Sequence, residues 1–233
     1  PSWSPSGSVL SYTIQGDGQT AARLMRRAAD GDGQPAVLVE LDHGASNADW
    51  SRDGQYLVFQ GRLEGTAADI LYVELDSNGD ASEPLTFLNT PAGEFAPKLS
   101  PDAHFVAYSS DESGRREVYV RPFPSGEGRQ QVSVNGGAQP RWRSDGSELF
   151  YVEDSLALMA VPVSTEQGLT LGKPQRLFES ADLNFRNVPW PVYDVSADGQ
   201  RVLTSTPVEN DNPTPSSIRI VLNWHEEFRD RAP

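Results

Sequence analysis

The sequence predicts an all-β fold of repeated four-stranded units, and two observations carry this prediction. First, a motif related to Trp-Ser-Pro-Asp-Gly occurs five times, starting at residues 3, 50, 99, 142 and 195. The intervals of 47, 49, 43 and 53 residues are typical of a propeller blade. Second, apolar residues recur at fixed positions after each motif. Together the two patterns favour a β-propeller of antiparallel blades.

The residues after each motif predict a hairpin. One column is entirely aliphatic and consists of Leu10, Leu57, Val106, Leu149 and Val202. A second column, two residues later, is mostly aromatic and consists of Tyr12, Phe59, Tyr108, Tyr151 and the exception Thr204. Side chains alternate across a strand, so residues two apart share one face. Each unit therefore begins as a strand, a tight turn and a second strand.

The motif itself has the composition of that turn. Pro presets the first turn position, Asp suits the second, and Gly accepts the left-handed conformation that closes a hairpin with a bulge. In the third copy Ala103 replaces this Gly. We predict either a positive φ at Ala103, which would cost about 1 kcal/mol, or a different type of turn.

Further apolar stretches complete each unit. Third strands are predicted at 69–75, 116–120, 156–163 and 217–224, and fourth strands at 84–88, 129–134 and 174–178. Unit one has weaker counterparts at 23–27 and 36–39. The prediction is one propeller domain over residues 1–233, with units that begin near residues 1, 48, 97, 140 and 193. Trp224 and Phe228, four residues apart, predict a short C-terminal helix.

Composition and charge exclude several classes of partner. Nineteen Lys and Arg against 33 Asp and Glu give a net charge of −14, which opposes binding to nucleic acid or to an anionic membrane. The longest apolar run, 156–163, is too short for membrane insertion.

The absence of Cys excludes disulfides and Cys-ligated zinc. Because the chain starts with Pro and shows no signal segment, we expect a processed product or an excised domain.

The repeated pattern Pro-x-Trp-Ser-Pro-Asp-Gly, followed by an aliphatic–aromatic strand, resembles the TolB-like, WD40-like β-propeller repeat over nearly the whole chain. The later half, through segments 96–102, 110–115, 118–124, 193–199 and 221–228, resembles the C-terminal propellers of bacterial membrane-anchored serine/threonine kinases and related sensors. The resemblance implies an extracytoplasmic, periplasmic sensor or interaction domain of a larger bacterial protein. Any kinase activity would belong to upstream parts that this chain lacks.

The sequence leaves two alternatives for the number of blades. TolB-like propellers usually have six blades, whereas five motifs are present and unit five has no clear fourth strand. Our preferred interpretation is a six-bladed propeller with an upstream blade outside this chain, and the rival is a five-bladed ring with an incomplete last blade. An unpaired edge strand invites association, so a homodimer through it is a further expectation.

Two regions are candidate binding sites for a protein, peptide or small-molecule ligand. The first is the loop face opposite the motif turns, formed by 60–69, 109–115, 181–192 and 205–217. Its segment 181–192 and the residue after it have the composition of a binding hot spot, with Phe185, Arg186, Trp190 and Tyr193. The alternative is that these aromatic residues fill core. The second region is the channel mouth, where Asp49, Arg141 and Asp194 directly precede their motifs.

Signatures of catalysis and of metal binding are weak. The sequence has no phosphate-binding loop, no Gly-x-Ser-x-Gly elbow and no metal-ligand spacing among its three histidines, so we expect a binding module rather than an enzyme. The alternative is a glycoside-acting five-bladed enzyme with Asp49 and Asp194 as paired carboxylates. No cofactor is expected, apart from calcium on the acidic loops, for which Asp111 and Asp154 are weak candidates.

Overall fold

The computed structural model describes residues 1–16, 21–165, 168–179, 192–205 and 218–221, in which every regular element is a β-strand. Unit one contains β1 (Ser2–Trp3), β2 (Val9–Ile14), β3 (Ala22–Ala28) and β4 (Ala36–Leu41). Unit two contains β5 (Ser46–Trp50), β6 (Tyr56–Gly61), β7 (Asp69–Glu74) and β8 (Leu85–Leu88). Unit three contains β9 (Glu94–Leu99), β10 (Phe105–Ser110), β11 (Glu117–Pro122) and β12 (Gln130–Gln131).

Units four and five depart from this plan. Unit four contains β13 (Ala138–Trp142), β14 (Glu148–Val152), β15 (Ala157–Ser164), β16 (Thr170–Leu171) and β17 (Gln175–Glu179). Both β16 and β17 pair with β15. The described part of unit five contains β18 (Tyr193–Val195), β19 (Val202–Ser205) and β20 (Ile218–Val221). The predicted C-terminal helix lies outside the described residues.

Each unit is an antiparallel sheet whose strands pair in chain order from the inner strand outwards, except that β17 pairs with β15. This confirms the predicted all-β propeller architecture. The predicted strand at 129–134 is too long, because only Gln130–Gln131 pairs with β11. Just beyond it, the Ser133 hydroxyl accepts from the backbone N–H of Val118, at 2.8 Å. The Ser133 hydroxyl thus takes the place of the backbone carbonyl that would continue the strand pairing.

The motif turns are stabilised within a few residues of sequence. In unit two the Ser51 hydroxyl donates to Asp53 Oδ1 at 2.6 Å and accepts from the backbone N–H of Tyr56 at 2.9 Å. The backbone N–H of Gly54 donates to the Ser51 carbonyl at 3.0 Å. Ala103 has a φ of 56°, which confirms the first of the two outcomes predicted for that turn.

The core of the described chain consists of four apolar clusters, and each joins one unit to the next. Leu24 of unit one packs with Leu57 and Phe59 of unit two. The other three clusters join units two and three, three and four, and four and five. No helix of the described residues is long and apolar enough to cross a membrane.

Candidate functional site

A repeated backbone feature shapes the inner strands near the channel. Asn47, Ala96 and Gln139, each three residues before its motif, have φ values of 52°, 51° and 60°. The pairing of each strand with its neighbour changes register in the same region. Such a bulge re-aims the side chains that follow it. The residues directly before the motifs are thereby brought to one end of the inner strands.

Asp49 and Lys98 form an ion pair between units two and three. Lys98 Nζ lies 2.6 Å from Asp49 Oδ1, and the two side chains are only 16% and 19% exposed. The second oxygen of Asp49 accepts from the backbone N–H of Leu99 at 2.9 Å. Burial lowers the pKa of Lys98, and the Asp49 carboxylate opposes that effect. Asp49 thus fastens the inner strand of unit three to that of unit two.

Arg141 and Asp194 occupy the same positions in units four and five. The Arg141 side chain is 12% exposed, whereas that of Asp194 is 73% exposed, and Arg141 Nε lies 3.6 Å from Asp194 Oδ1. The Arg141 guanidinium also lies 5.9 Å from the ring centre of Tyr193. This pair is longer and more solvated than Asp49–Lys98. The guanidinium is therefore largely desolvated beside a weakly held carboxylate.

A cavity of about 520 Å³ opens at this end of the inner strands, and all five units contribute to it. Its described lining has four cationic side chains, which are Arg52, Lys98, Arg141 and Arg143. It has two carboxylates, which are Asp49 and Asp194. Lys98 is paired with Asp49, and Arg143 with Asp145 and Glu148 just outside the lining, at 3.3 and 3.0 Å. Arg52 and Arg141 are therefore the two cationic side chains of the lining that face the mouth without a short ion pair.

Three tryptophans of the motifs also line the cavity. Trp50 Nε1 donates to the Ser11 hydroxyl of unit one at 3.0 Å, and Trp142 Nε1 donates to the Lys98 carbonyl of unit three at 3.0 Å. Each of these rings is held against the preceding unit. Trp3 is 60% exposed. The mouth therefore combines positive charge with flat apolar surface.

The predicted site residues fall into three groups. Asp49, Arg141 and Asp194 line one cavity at the motif end of the inner strands, and their role in binding stays a prediction. Tyr193 is buried, and its hydroxyl donates to the Gln139 carbonyl at 2.8 Å, so it packs beneath the mouth. The third group lies outside the described residues and comprises Phe185, Arg186 and Trp190.

Sequence reasoning missed much of the lining because it favoured the loop face opposite the motif turns. The cavity that collects residues from all five units lies on the motif-turn face. The missed residues are Trp3, Trp50, Trp142, Arg52 and Arg143. Their signal was present in the repeat, since each tryptophan opens a motif and Arg143 and Arg52 stand within one.

The calcium candidates Asp111 and Asp154 lie on loops of two different units, three and four. Asp111 Oδ1 accepts from the backbone N–H of Gly93 at 2.8 Å, near the opposite end of the inner strand of unit three. Asp154 lies against Gly136 in unit four. Within the described ranges, no three His, Cys, Asp or Glu side chains are grouped so as to hold a metal ion. Calcium binding stays a prediction.

Comparison with known proteins supports the fold through structure alone. No family model and no curated protein matches the sequence. The structure of TolB from Acinetobacter baumannii superposes with a TM-score of 0.71 at 16% identity, over 96% of this chain and 51% of that one. The chain has a TolB-like β-propeller fold. It spans about half the length of that TolB, and the resemblance to kinase-linked sensors stays a prediction.

Two further structures with this fold are enzymes by name. Oligogalacturonate lyase from Vibrio parahaemolyticus matches with a TM-score of 0.63 at 12% identity, over 96% of this chain and 62% of that one. The periplasmic gluconolactonase of Pseudomonas aeruginosa matches with a TM-score of 0.60 at 15% identity, over 94% and 70%. The expectation that the chain is not an enzyme is therefore wrong as an inference. Proteins with this fold include enzymes, so the missing motifs do not exclude catalysis.

Proposed function

We propose that the channel mouth of this propeller binds a small ligand through a carboxylate group, with Arg141 as the principal contact. The observation that carries this proposal is the burial of the Arg141 guanidinium beside an exposed, distant Asp194. A guanidinium offers parallel N–H donors that match the two oxygens of a carboxylate. A ligand carboxylate would replace the long contact to Asp194 with two short ones.

The neighbouring charges support the same class of ligand. Arg52 stands at the rim, where its Nη1 donates to the Ser144 carbonyl of unit four at 3.2 Å. Arg143 is already held by Asp145 and Glu148, at 3.3 and 3.0 Å. Lys98 is already paired with Asp49, so its role is to hold the inner strands and add to the positive field. The same pairing opposes the glycosidase alternative, because both oxygens of Asp49 are occupied.

The tryptophans favour an acidic sugar among carboxylate-bearing ligands. Flat aromatic faces suit the apolar faces of sugar rings, and Trp3, Trp50 and Trp142 border the cavity. Two proteins with this fold are named for oligogalacturonate and gluconolactone chemistry. The proposal includes an extracytoplasmic location, supported by the periplasmic gluconolactonase, and a sensing role within a larger protein, supported by the sequence resemblance.

Calorimetric titration with galacturonate oligomers tests the proposal, with neutral galactose oligomers as the matched ligand. We expect binding of the acidic sugar alone. Arg141→Gln should weaken it about ten- to hundred-fold, the range for a lost charge-assisted hydrogen bond. Arg23→Gln is the control, because Arg23 pairs with Glu40 on the exposed surface of unit one and the variant has the same net charge.

Three results would count against the proposal. They are equal affinity for the neutral sugar, equal weakening by both variants, and no heat with either ligand. Chromatography of the recovered sugar should accompany each titration, since a lyase shares the fold. Conversion of the galacturonate that Arg141→Gln abolishes would extend the proposal from binding to turnover at the same site.

A further inference from the structure

A second cavity, which we call the groove, lies beside the channel mouth between the motif turns of units one and two. Its volume of about 910 Å³ falls within the range of roughly 300–1,000 Å³ that is usual for ligand sites. Unit one lines it with Ser4, Ser6 and Ser8 of its motif turn, and unit two lines it with residues 75–79 between β7 and β8. Two units therefore build the groove together.

The groove is continuous with the mouth. Pro5, Trp50 and Arg52 line both cavities. The Trp50 ring is held at this junction, because its Nε1 donates to the Ser11 hydroxyl at 3.0 Å. A ligand whose carboxylate is bound at Arg141 in the mouth thus has a direct path past Trp50 into the groove.

The outer wall of the groove is fixed by Arg26, which lies on β3 of unit one. Its Nη2 lies 2.8 Å from Asp80 Oδ1, and its Nη1 donates to the Gly79 carbonyl. Gly79 has a φ of 76°, and a Cβ at this position would lie 2.6 Å from Arg26 Nη1. A glycine is required for so close an approach. The loop of unit two is thereby held against unit one, and the groove has a defined shape.

The polar groups of the groove suit a ligand rich in hydroxyl groups. The Ser6 hydroxyl lies 3.2 Å from that of Ser4 and 2.6 Å from that of Ser8. A hydroxyl both donates and accepts hydrogen bonds, so this row can exchange its partners with the hydroxyls of a sugar. Val9 and Leu75 add apolar surface to the same cavity.

The charges of the groove differ from those of the mouth. Arg26 is already paired with Asp80, whereas Asp53 and Asp76 take part in none of the ion pairs of the described residues. Burial acts to raise the pKa of Asp53, but hydrogen bonds from Ser51 and the backbone bring it below the ordinary value. Backbone hydrogen bonds within its loop lower the pKa of Asp76. Two ionised carboxylates therefore repel an anionic group from the groove.

We propose that the groove binds the neutral residues of an oligosaccharide whose single uronic acid is held at the mouth. This inference rests on the function proposed for Arg141 and narrows its class of ligand. A chain made only of uronic acids would bring further carboxylates to Asp53 and Asp76. A mixed chain places its one negative charge beside Arg141 and its hydroxyl groups along Ser4, Ser6 and Asp76.

Calorimetric titration with sugars of different length tests the groove. Glucuronosyl-xylose has the carboxylate and is long enough only for the mouth. Glucuronosyl-xylotetraose has the same carboxylate on a neutral chain that reaches the groove. We expect the longer sugar to bind at least about ten-fold more tightly. A galacturonate pentamer should show no comparable gain over the galacturonate dimer.

Two variants with a new tryptophan locate the gain. Ser77→Trp fills the groove from an exposed loop position and should reduce the affinity for the longer sugar to that for the shorter one. Ser125→Trp is the matched control on the exposed β11–β12 loop of unit three. Ser125 is not among the described residues that line either cavity, so this variant should keep the gain. Binding of the shorter sugar by both variants shows that they are folded.

The outcomes separate the groove from the mouth. If the shorter sugar binds and Arg141→Gln weakens it, three results overturn the groove alone. They are equal affinity for both glucuronosyl sugars, a gain that persists in Ser77→Trp, and an equal loss in Ser125→Trp. An equal gain from the galacturonate pentamer overturns the preference for neutral residues. Failure of both glucuronosyl sugars to bind overturns the mouth and the groove together.

Discussion

Glu94, at the start of the inner strand of unit three, should make the stability of this propeller depend on pH. The side chain is 1% exposed, and its Oε2 is buried without a hydrogen-bond partner among the described residues. The Thr90 hydroxyl donates to Oε1. Burial, together with the nearby charges of Asp69 and Asp111, raises the pKa of Glu94 from 4.5 to about 7. The folded protein therefore holds this proton more tightly than the unfolded chain.

The sign and size of the effect follow from that difference. A raised folded-state pKa adds stability that is complete below the unfolded value and is lost as the pH rises through the folded one. The free energy of unfolding should fall by up to about 3 kcal/mol between pH 4.5 and about 7. Glu94→Gln keeps the shape and removes the charge. The variant should lose this pH dependence and be more stable than the parent at neutral pH and above.

Urea unfolding of both proteins at about pH 5 and about pH 8 measures the effect. The aspartates with lowered pKa values, Asp53, Asp76, Asp102, Asp145 and Asp198, titrate below 3.8 and do not contribute in this range. Glu83→Gln, at an exposed position, is the control and should follow the parent. If Glu94→Gln and the parent change equally between the two pH values, the argument from burial is refuted.

Two further stability measurements test the turns and the ion pair. Ala103→Gly should raise the free energy of unfolding by about 1 kcal/mol because φ is 56° there, and the reciprocal Gly54→Ala should lower it similarly; two unchanged urea midpoints would contradict this. Asp49→Asn should cost about 2 kcal/mol because it leaves Lys98, only 16% exposed, without its carboxylate. Asp194→Asn, in a solvated pair, should cost less than about 0.5 kcal/mol, and equal losses would contradict the difference in burial.

The units were predictable because their chemistry is local. The Ser51–Asp53–Gly54 turn closes with hydrogen bonds that span five residues or fewer, so the pattern alone indicates a hairpin. The columns alternate with period two, which indicates the buried face. At 129–134 the same reasoning failed, because the Ser133 hydroxyl bonds to Val118 N–H in place of a ladder. Local composition does not reveal that a side chain takes the place of a backbone acceptor.

The candidate site was predictable only in part. Asp49, Arg141 and Asp194 could be placed at the mouth because they share one register position in the repeat. The position of the Arg52 side chain could not be predicted, because that side chain donates to Ser144 of unit four, 92 residues away in sequence. The different environments of Asp49 and Asp194 depend on which unit follows each of them. That information lies in the packing of the units rather than within any one motif.

The direction in which the columns pack has a consequence for synthesis on the ribosome. Chains emerge from the N-terminus, and domains generally begin to fold in that order. Each unit from two to five requires the surface of a unit that has already been made. Its apolar column can therefore be covered as soon as its hairpin leaves the exit tunnel. The propeller can grow one blade at a time without exposing large apolar faces to water. The face of unit one that carries Leu10 and Tyr12 is the exception, because it stays only partly buried.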